Sequence, residues 1–100
     1  MAIAKVDYMY TGDLMQRELL ASSLRTFITG HFPATKRREL RNDDSLLESG
    51  MIDSLGVLDL VSFIETEFQI TVADEDLTPE NFQTIEKMMA FVDRKRNGQA

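Results

Sequence analysis

Apolar side chains recur three and four residues apart along most of this chain, and the polar positions between them carry helix starts and stops. Asp13, with Gln16 three residues later, reads as a capping box opening a first helix. Leu20, Leu24, Phe27 and Ile28 form its apolar stripe, and Gly30 is placed to end it, which predicts a helix over Leu14 to Thr29. A second helix is predicted from Ser54 to Phe68, a run without proline in which Leu58, Val61, Ile64 and Phe68 share one stripe. Asp53 stands before it as an N-cap residue, able to accept hydrogen bonds from the free N–H groups of the first turn. Ile70 and Val72 alternate, predicting an extended segment that drops two side chains into the core. Thr78-Pro79-Glu80 opens a short third helix, since proline is harmless at a first helical position, and Phe82 pins that turn to the core. Thr84 opens the last helix, whose stripe is Ile85, Met88, Met89 and Val92. Arg94, Lys95 and Arg96 suit its C-terminal end, and Asn97-Gly98 stops it.

These elements predict an all-α fold, a small four-helix bundle of three longer helices and one short third helix. Residues 1–12 show no clear period, end in Thr11-Gly12, and are expected to be a mobile tail. The domain then covers 13–96, and 97–100 form a C-terminal tail. Between the first two helices lies a long polar connection, His31 to Ser49. Leu40, Leu46 and Leu47 are its expected anchors, and Asp44 to Leu47 reads as a single helical turn.

One hundred residues suffice for one small core, and 43% apolar residues lie in the globular range. The chain has no cysteine, which excludes disulfides and cysteine-ligated metal sites; a thiol nucleophile would have to arrive on a prosthetic group. No segment reads as a signal peptide or a membrane span, so a cytoplasmic protein is expected; separately, the chain is expected to be a monomer.

Net charge is −6, but its distribution says more. From Asn42 to Glu86 the chain carries −12 with no lysine or arginine, while residues 1–41 and 87–100 carry +3 each. An acidic block of this kind repels nucleic acid and anionic membranes and attracts basic protein surfaces, and composition alone reads it equally as a solvated face kept for solubility. The basic cluster Lys36, Arg37, Arg38 and Arg41 has no interleaved aromatics, as a nucleic-acid groove would need, and reads as a solvated loop. Asp74, Glu75 and Asp76 lack the glycine and terminal glutamate of a calcium loop, so no metal site is assigned. His31, the only histidine, reads as a cation at a helix C-terminus.

Ser54 falls in the first turn of the second helix, at the positive end of its dipole. A phosphate esterified there would meet free N–H donors and a favourable potential. Catalysis is a poor reading of the same hydroxyl. A serine nucleophile needs a nearby base and an oriented third group, the one histidine is distant in sequence, and no Gly-x-Ser-x-Gly elbow is present. No residue is assigned a catalytic role.

The stretch Leu47, Gly50, Ile52-Asp53-Ser54-Leu55, Leu60, Ile64-Glu65 and Phe68-x-Ile70-x-Val72 resembles the acyl carrier protein family, including its peptidyl and aminoacyl relatives. The helix pattern extends the likeness over about residues 13 to 95. The resemblance implies that Ser54 receives 4′-phosphopantetheine from coenzyme A, with Asp53 and Leu55 beside the attachment. It implies an acyl or aminoacyl group held as a thioester on that arm. It also implies that Leu55, Leu58, Asp59, Ser62 and Glu65 form the face that partners touch. Those partners would be a phosphopantetheinyl transferase, an AMP-forming loading ligase, and downstream transferases or synthases with basic docking surfaces. Gly56 departs from the larger residues often found at its position, and could let the arm lie close to the backbone. The Asp76-to-Phe82 connection points to a specialised pathway over a housekeeping one. Two other readings stand beside this one: an aminoacyl or peptidyl carrier loaded by a stand-alone ligase, and an unmodified acidic helical module for protein interaction.

Overall fold

The computed structural model describes the backbone of residues 2–36 and 39–98 and the side chains of 16–36 and 39–98. All regular structure among the described residues is helical: α1 Ala2–His31, α2 Ser54–Phe68, α3 Pro79–Phe82 and α4 Ile85–Arg96, with 3₁₀ turns at Pro33–Lys36 and Asp74–Asp76. The four-helix, all-α expectation is met, with α3 a single turn.

α1 corrects the expected boundaries. It does not begin at Asp13 but continues back to Ala2, and Gly30 lies inside it. A lone glycine costs a helix about 1 kcal/mol without breaking its hydrogen-bond ladder, so neither Gly12 nor Gly30 terminates it. Pro33 does, because the residue before a proline is pushed out of helical geometry. The Phe32 N–H still closes on the Ile28 carbonyl at 2.9 Å, and the buried Thr35 hydroxyl donates to the Phe32 carbonyl at 2.7 Å. The mobility expected of residues 1–12 concerns side chains outside those described, as do Arg37, Arg38, Gln99 and Ala100.

The core draws Leu20, Leu24 and Ile28 from α1, Leu60 and Ile64 from α2, Phe82 from α3, and Ile85, Met88, Met89, Phe91 and Val92 from α4. Leu40, Leu46 and Ile52 of the long connection are buried with them, and Leu47 is half-buried. The methionines are core filler, as their period implied. On α2 the buried stripe is Gly56, Leu60 and Ile64, with Val57, Val61 and Phe68 packed against it. Leu58, assigned to the stripe by spacing, is instead 55% exposed.

The long connection has no helical turn at Asp44–Leu47; Leu47 to Gly50 makes a tight turn instead. It is held from both sides. The Arg25 guanidinium of α1 donates to the Leu40 carbonyl and the Asn42 side-chain oxygen. The Gln83 carboxamide oxygen accepts from the Ser45 hydroxyl at 2.7 Å and from the N–H groups of Leu47 and Glu48 at 3.0 and 2.9 Å. Gly50, with φ +82°, then reverses the chain in a conformation that costs glycine nothing. The Ile52 N–H returns to the Leu46 carbonyl at 3.0 Å. This clamp fixes where α2 begins.

Candidate functional site

α2 starts as its sequence requires. Asp53 is extended (φ −93°, ψ −178°), its Oδ1 accepts the Gly56 N–H at 2.8 Å, and its carbonyl accepts the Val57 N–H at 3.0 Å. Ser54 is therefore the first helical residue, and it is exposed. Its hydroxyl stands at the positive end of a fifteen-residue helix, where a phosphate diester gains from the aligned peptide dipoles.

Beside it opens a groove of about 250 Å³ between α2 and α3, lined by Ser54, Leu47, Val57, Leu58, Leu77 and Pro79, with Thr78 and Phe82 completing it. No lining side chain is charged. Leu55, Leu58 and Leu77 are 76, 55 and 40% exposed, so the mouth of the groove is apolar. Such surface in contact with water is favourable to cover, whether by a bound chain or a partner. An uncharged slot next to an exposed hydroxyl at a helix start fits a flexible phosphate-linked arm; it offers no base to activate the serine.

The residues of the expected partner face divide into two groups. Leu55, Leu58, Asp59 and Ser62 lie together on the exposed side of α2. Glu65 does not join them as a free carboxylate: it is half-buried, and its Oε2 accepts the Val72 N–H at 2.9 Å. This bond closes the reversal after α2, where Gln69 adopts the left-handed conformation (φ 58°). Asp59 is also engaged, with its Oδ2 3.2 Å from His31 Nε2.

The space over Gly56 is already taken. A Cβ there would stand 2.7 Å from Phe32 Cε1 and 3.1 Å from Ile52 Cγ2. The missing side chain admits Phe32 at the end of α1, so Gly56 is buried under an aromatic ring and offers no bed to an arm. Phe32 and Gln83 are site-shaping residues that the sequence alone did not mark, and His31, read there only as a cation at a helix end, reaches across to Asp59. Each acts across elements, and no local spacing signals such a contact. Proline after Phe32 was the one hint that α1 ends where it does.

An exposed serine at a capped helix start, on the rim of an uncharged groove, leaves room for a covalently attached group and offers it no catalytic partner. Residues 34–92 match the family described as phosphopantetheine attachment site. The chain is 30% identical over 76 residues to a probable acyl carrier protein, PigG, of a Serratia species, covering 76% of this chain and 87% of that one. It is 33% identical over 60 residues to the acyl carrier protein of Buchnera aphidicola from Schizaphis graminum (60% and 73%). It is 34% identical over 50 residues to a D-alanyl carrier protein of Streptococcus suis (50% and 63%). This chain belongs to the phosphopantetheine-attachment family of acyl carrier proteins. Its prosthetic group is 4′-phosphopantetheine, and it is a carrier that serves biosynthetic enzymes and a phosphopantetheinyl transferase, not an enzyme itself. No helix among the described residues is long and apolar enough to cross a membrane.

Proposed function

We propose that Ser54 is the attachment residue, and that the chain presents an acyl group as a thioester to a series of enzymes in a specialised biosynthetic pathway of the cytoplasm. The carrying observation is the placement of Ser54: exposed, first in α2, and on the rim of an uncharged groove. The arm supplies a terminal thiol, which this cysteine-free chain lacks. The protein's residues supply the rest. Asp53 sets the helix start, the Gln83 clamp holds the loop before it, and Leu55, Leu58, Asp59 and Ser62 offer a partner an apolar strip edged by negative charge. A basic partner surface meeting that strip is steered by the acidic block from Asn42 to Glu86, so association is fast, weak and salt-sensitive. Tethering keeps the cargo at high effective concentration at each docked enzyme. The chain acts as a monomer, and an AMP-forming ligase loads it.

The likeness to a D-alanyl carrier protein supports a second reading, an aminoacyl cargo. The groove favours the first, because no carboxylate lines it to receive an ammonium group. Incubation with coenzyme A and a phosphopantetheinyl transferase is the test. A mass increase on the wild-type chain, mapped to Ser54 and lost in Ser54→Ala, is expected. An unchanged mass, or modification that survives Ser54→Ala, overturns the assignment. The thioester present on protein isolated from its own cells decides between acyl and aminoacyl cargo.

A further inference from the structure

The end of α1 stands against the partner-facing side of α2 and brings an aromatic stack with it. Phe27 stacks on Phe63 of α2, with centroids 4.2 Å apart and planes 11° from parallel, and also on His31, 4.8 Å away at 15°. Phe32, seated over Gly56, meets the imidazole edge-on at 5.0 Å. His31 is thus held in place by two rings although it sits at a helix end. From there its Nε2 reaches the Asp59 Oδ2 at 3.2 Å, and both side chains remain open to water, 46 and 63% exposed.

We infer that His31 is a partner-recognition residue: its imidazole occupies the Asp59 carboxylate as an internal substitute for a partner's lysine or arginine. Docking of a basic partner then begins by exchanging one donor for another at Asp59. The inference rests on the docking reading of the α2 face and adds the residue that tunes it. Imidazole can donate from Nε2 whether neutral or charged, so the exchange does not depend on full protonation. The stacked ring is already ordered, so the internal contact loses little side-chain entropy on forming. The pair is nevertheless solvent-exposed and weak enough to be displaced. Its presence raises the threshold for basic partners. A partner that offers a full cation clears that threshold more easily than one that offers only a neutral donor.

The apo-protein serves as substrate for a phosphopantetheinyl transferase, with the KM for the carrier as readout at low ionic strength. His31→Phe keeps an aromatic ring over Phe27 and deletes the contact to Asp59, while His31→Ala deletes both, and thermal melts establish that each variant is folded. Both variants are expected to lower KM about two- to fivefold with kcat unchanged, the size of an exposed ion pair. Asp59→Asn is expected to raise KM. In the Asp59→Asn background the His31 substitutions should change nothing, and the lowered KM with kcat unchanged in the otherwise wild-type chain is a result that loss of a merely structural contact between α1 and α2 would not give. Should Asp59→Asn raise KM while the His31 variants leave it unchanged or higher, or should their gain persist without Asp59, the inference falls and the docking reading stands. If Asp59→Asn leaves KM unaltered, the docking role of Asp59 fails and the inference with it. Absence of any modification overturns the attachment reading and this inference together.

Discussion

Phe32 Cε1 lies 2.7 Å from the point where a Cβ on residue 56 would stand. The end of α1 therefore packs onto the first turn of α2 through the one residue type that leaves room for it. Gly56→Ala improves helix propensity by about 1 kcal/mol, yet forces an aromatic ring and the buried Ile52 to move, an overpacking cost of about 1–3 kcal/mol. The expected net result is a chain destabilised by about 1 kcal/mol in urea titration. In a Phe32→Ala background the same substitution should turn neutral or stabilising. If Gly56→Ala stabilises the otherwise wild-type chain, the Phe32 contact does not constrain this turn.

Asp53 caps α2 through the Gly56 N–H at 2.8 Å. Asp53→Ala should cost about 1 kcal/mol, and Asp53→Asn much less, because an asparagine oxygen caps almost as well. Denaturant midpoints compare the two. Equal losses would mean that charge, and not the hydrogen bond, is what counts at this position.

The Gln83 carboxamide oxygen gathers three donors from the loop preceding α2. Gln83→Leu leaves them without that acceptor at a cost of about 1–3 kcal/mol. Amide exchange at Leu47 and Glu48 should accelerate before that of Leu60 and Ile64 in the core. Uniform acceleration across all four would show that the clamp is no local device.

Asp76 and Lys95 pair at 2.8 Å with little exposure, 17 and 16%, and Asp76 Oδ2 also accepts the Ala73 N–H at 2.9 Å. The Lys95 hydrogen bond, then the Ala73 N–H, hold the Asp76 carboxyl below its ordinary value of 3.8. A carboxyl lowered by folding contributes stability that is complete above 3.8 and is lost as pH falls from there through the lower folded value. Lys95→Met should therefore reduce stability at pH 7 and lose less of what remains than wild type does as pH falls below 3.8. Stability curves recorded from pH 7 downward check this: the gap between wild type and Lys95→Met should close in that window. A gap that stays constant would assign the loss to the contact of the Lys95 ammonium with the face of Phe91, whose ring centroid lies 5.8 Å from Nζ.

What could be read from the sequence was local. Asp53 and Thr84 announced their helices because a cap needs only a short polar side chain and the next three residues, and Thr84 Oγ1 accepts the Lys87 N–H at 3.0 Å as that chemistry demands. Leu20, Leu24 and Ile28 on α1, and Ile85, Met88 and Val92 on α4, declared their buried face through the 3.6-residue period. Leu58 misled because a residue on the border of a stripe satisfies the same spacing from the outside. Glu65 was placed among free carboxylates, since nothing nearby in sequence shows that Val72 folds back to claim it. The start of α1 was missed because glycine is a weaker stop than proline, and Gly12 carried too much weight.

Around the Ser54 end the exposed carboxylates are Glu48, Asp59 and Glu80, each next in sequence to a residue lining the groove, with no lysine or arginine anywhere between Asn42 and Glu86 in the sequence to offset them. Two copies of the chain brought face to face at that end meet like sign against like sign. Crowding such molecules together therefore disfavours contact between those ends.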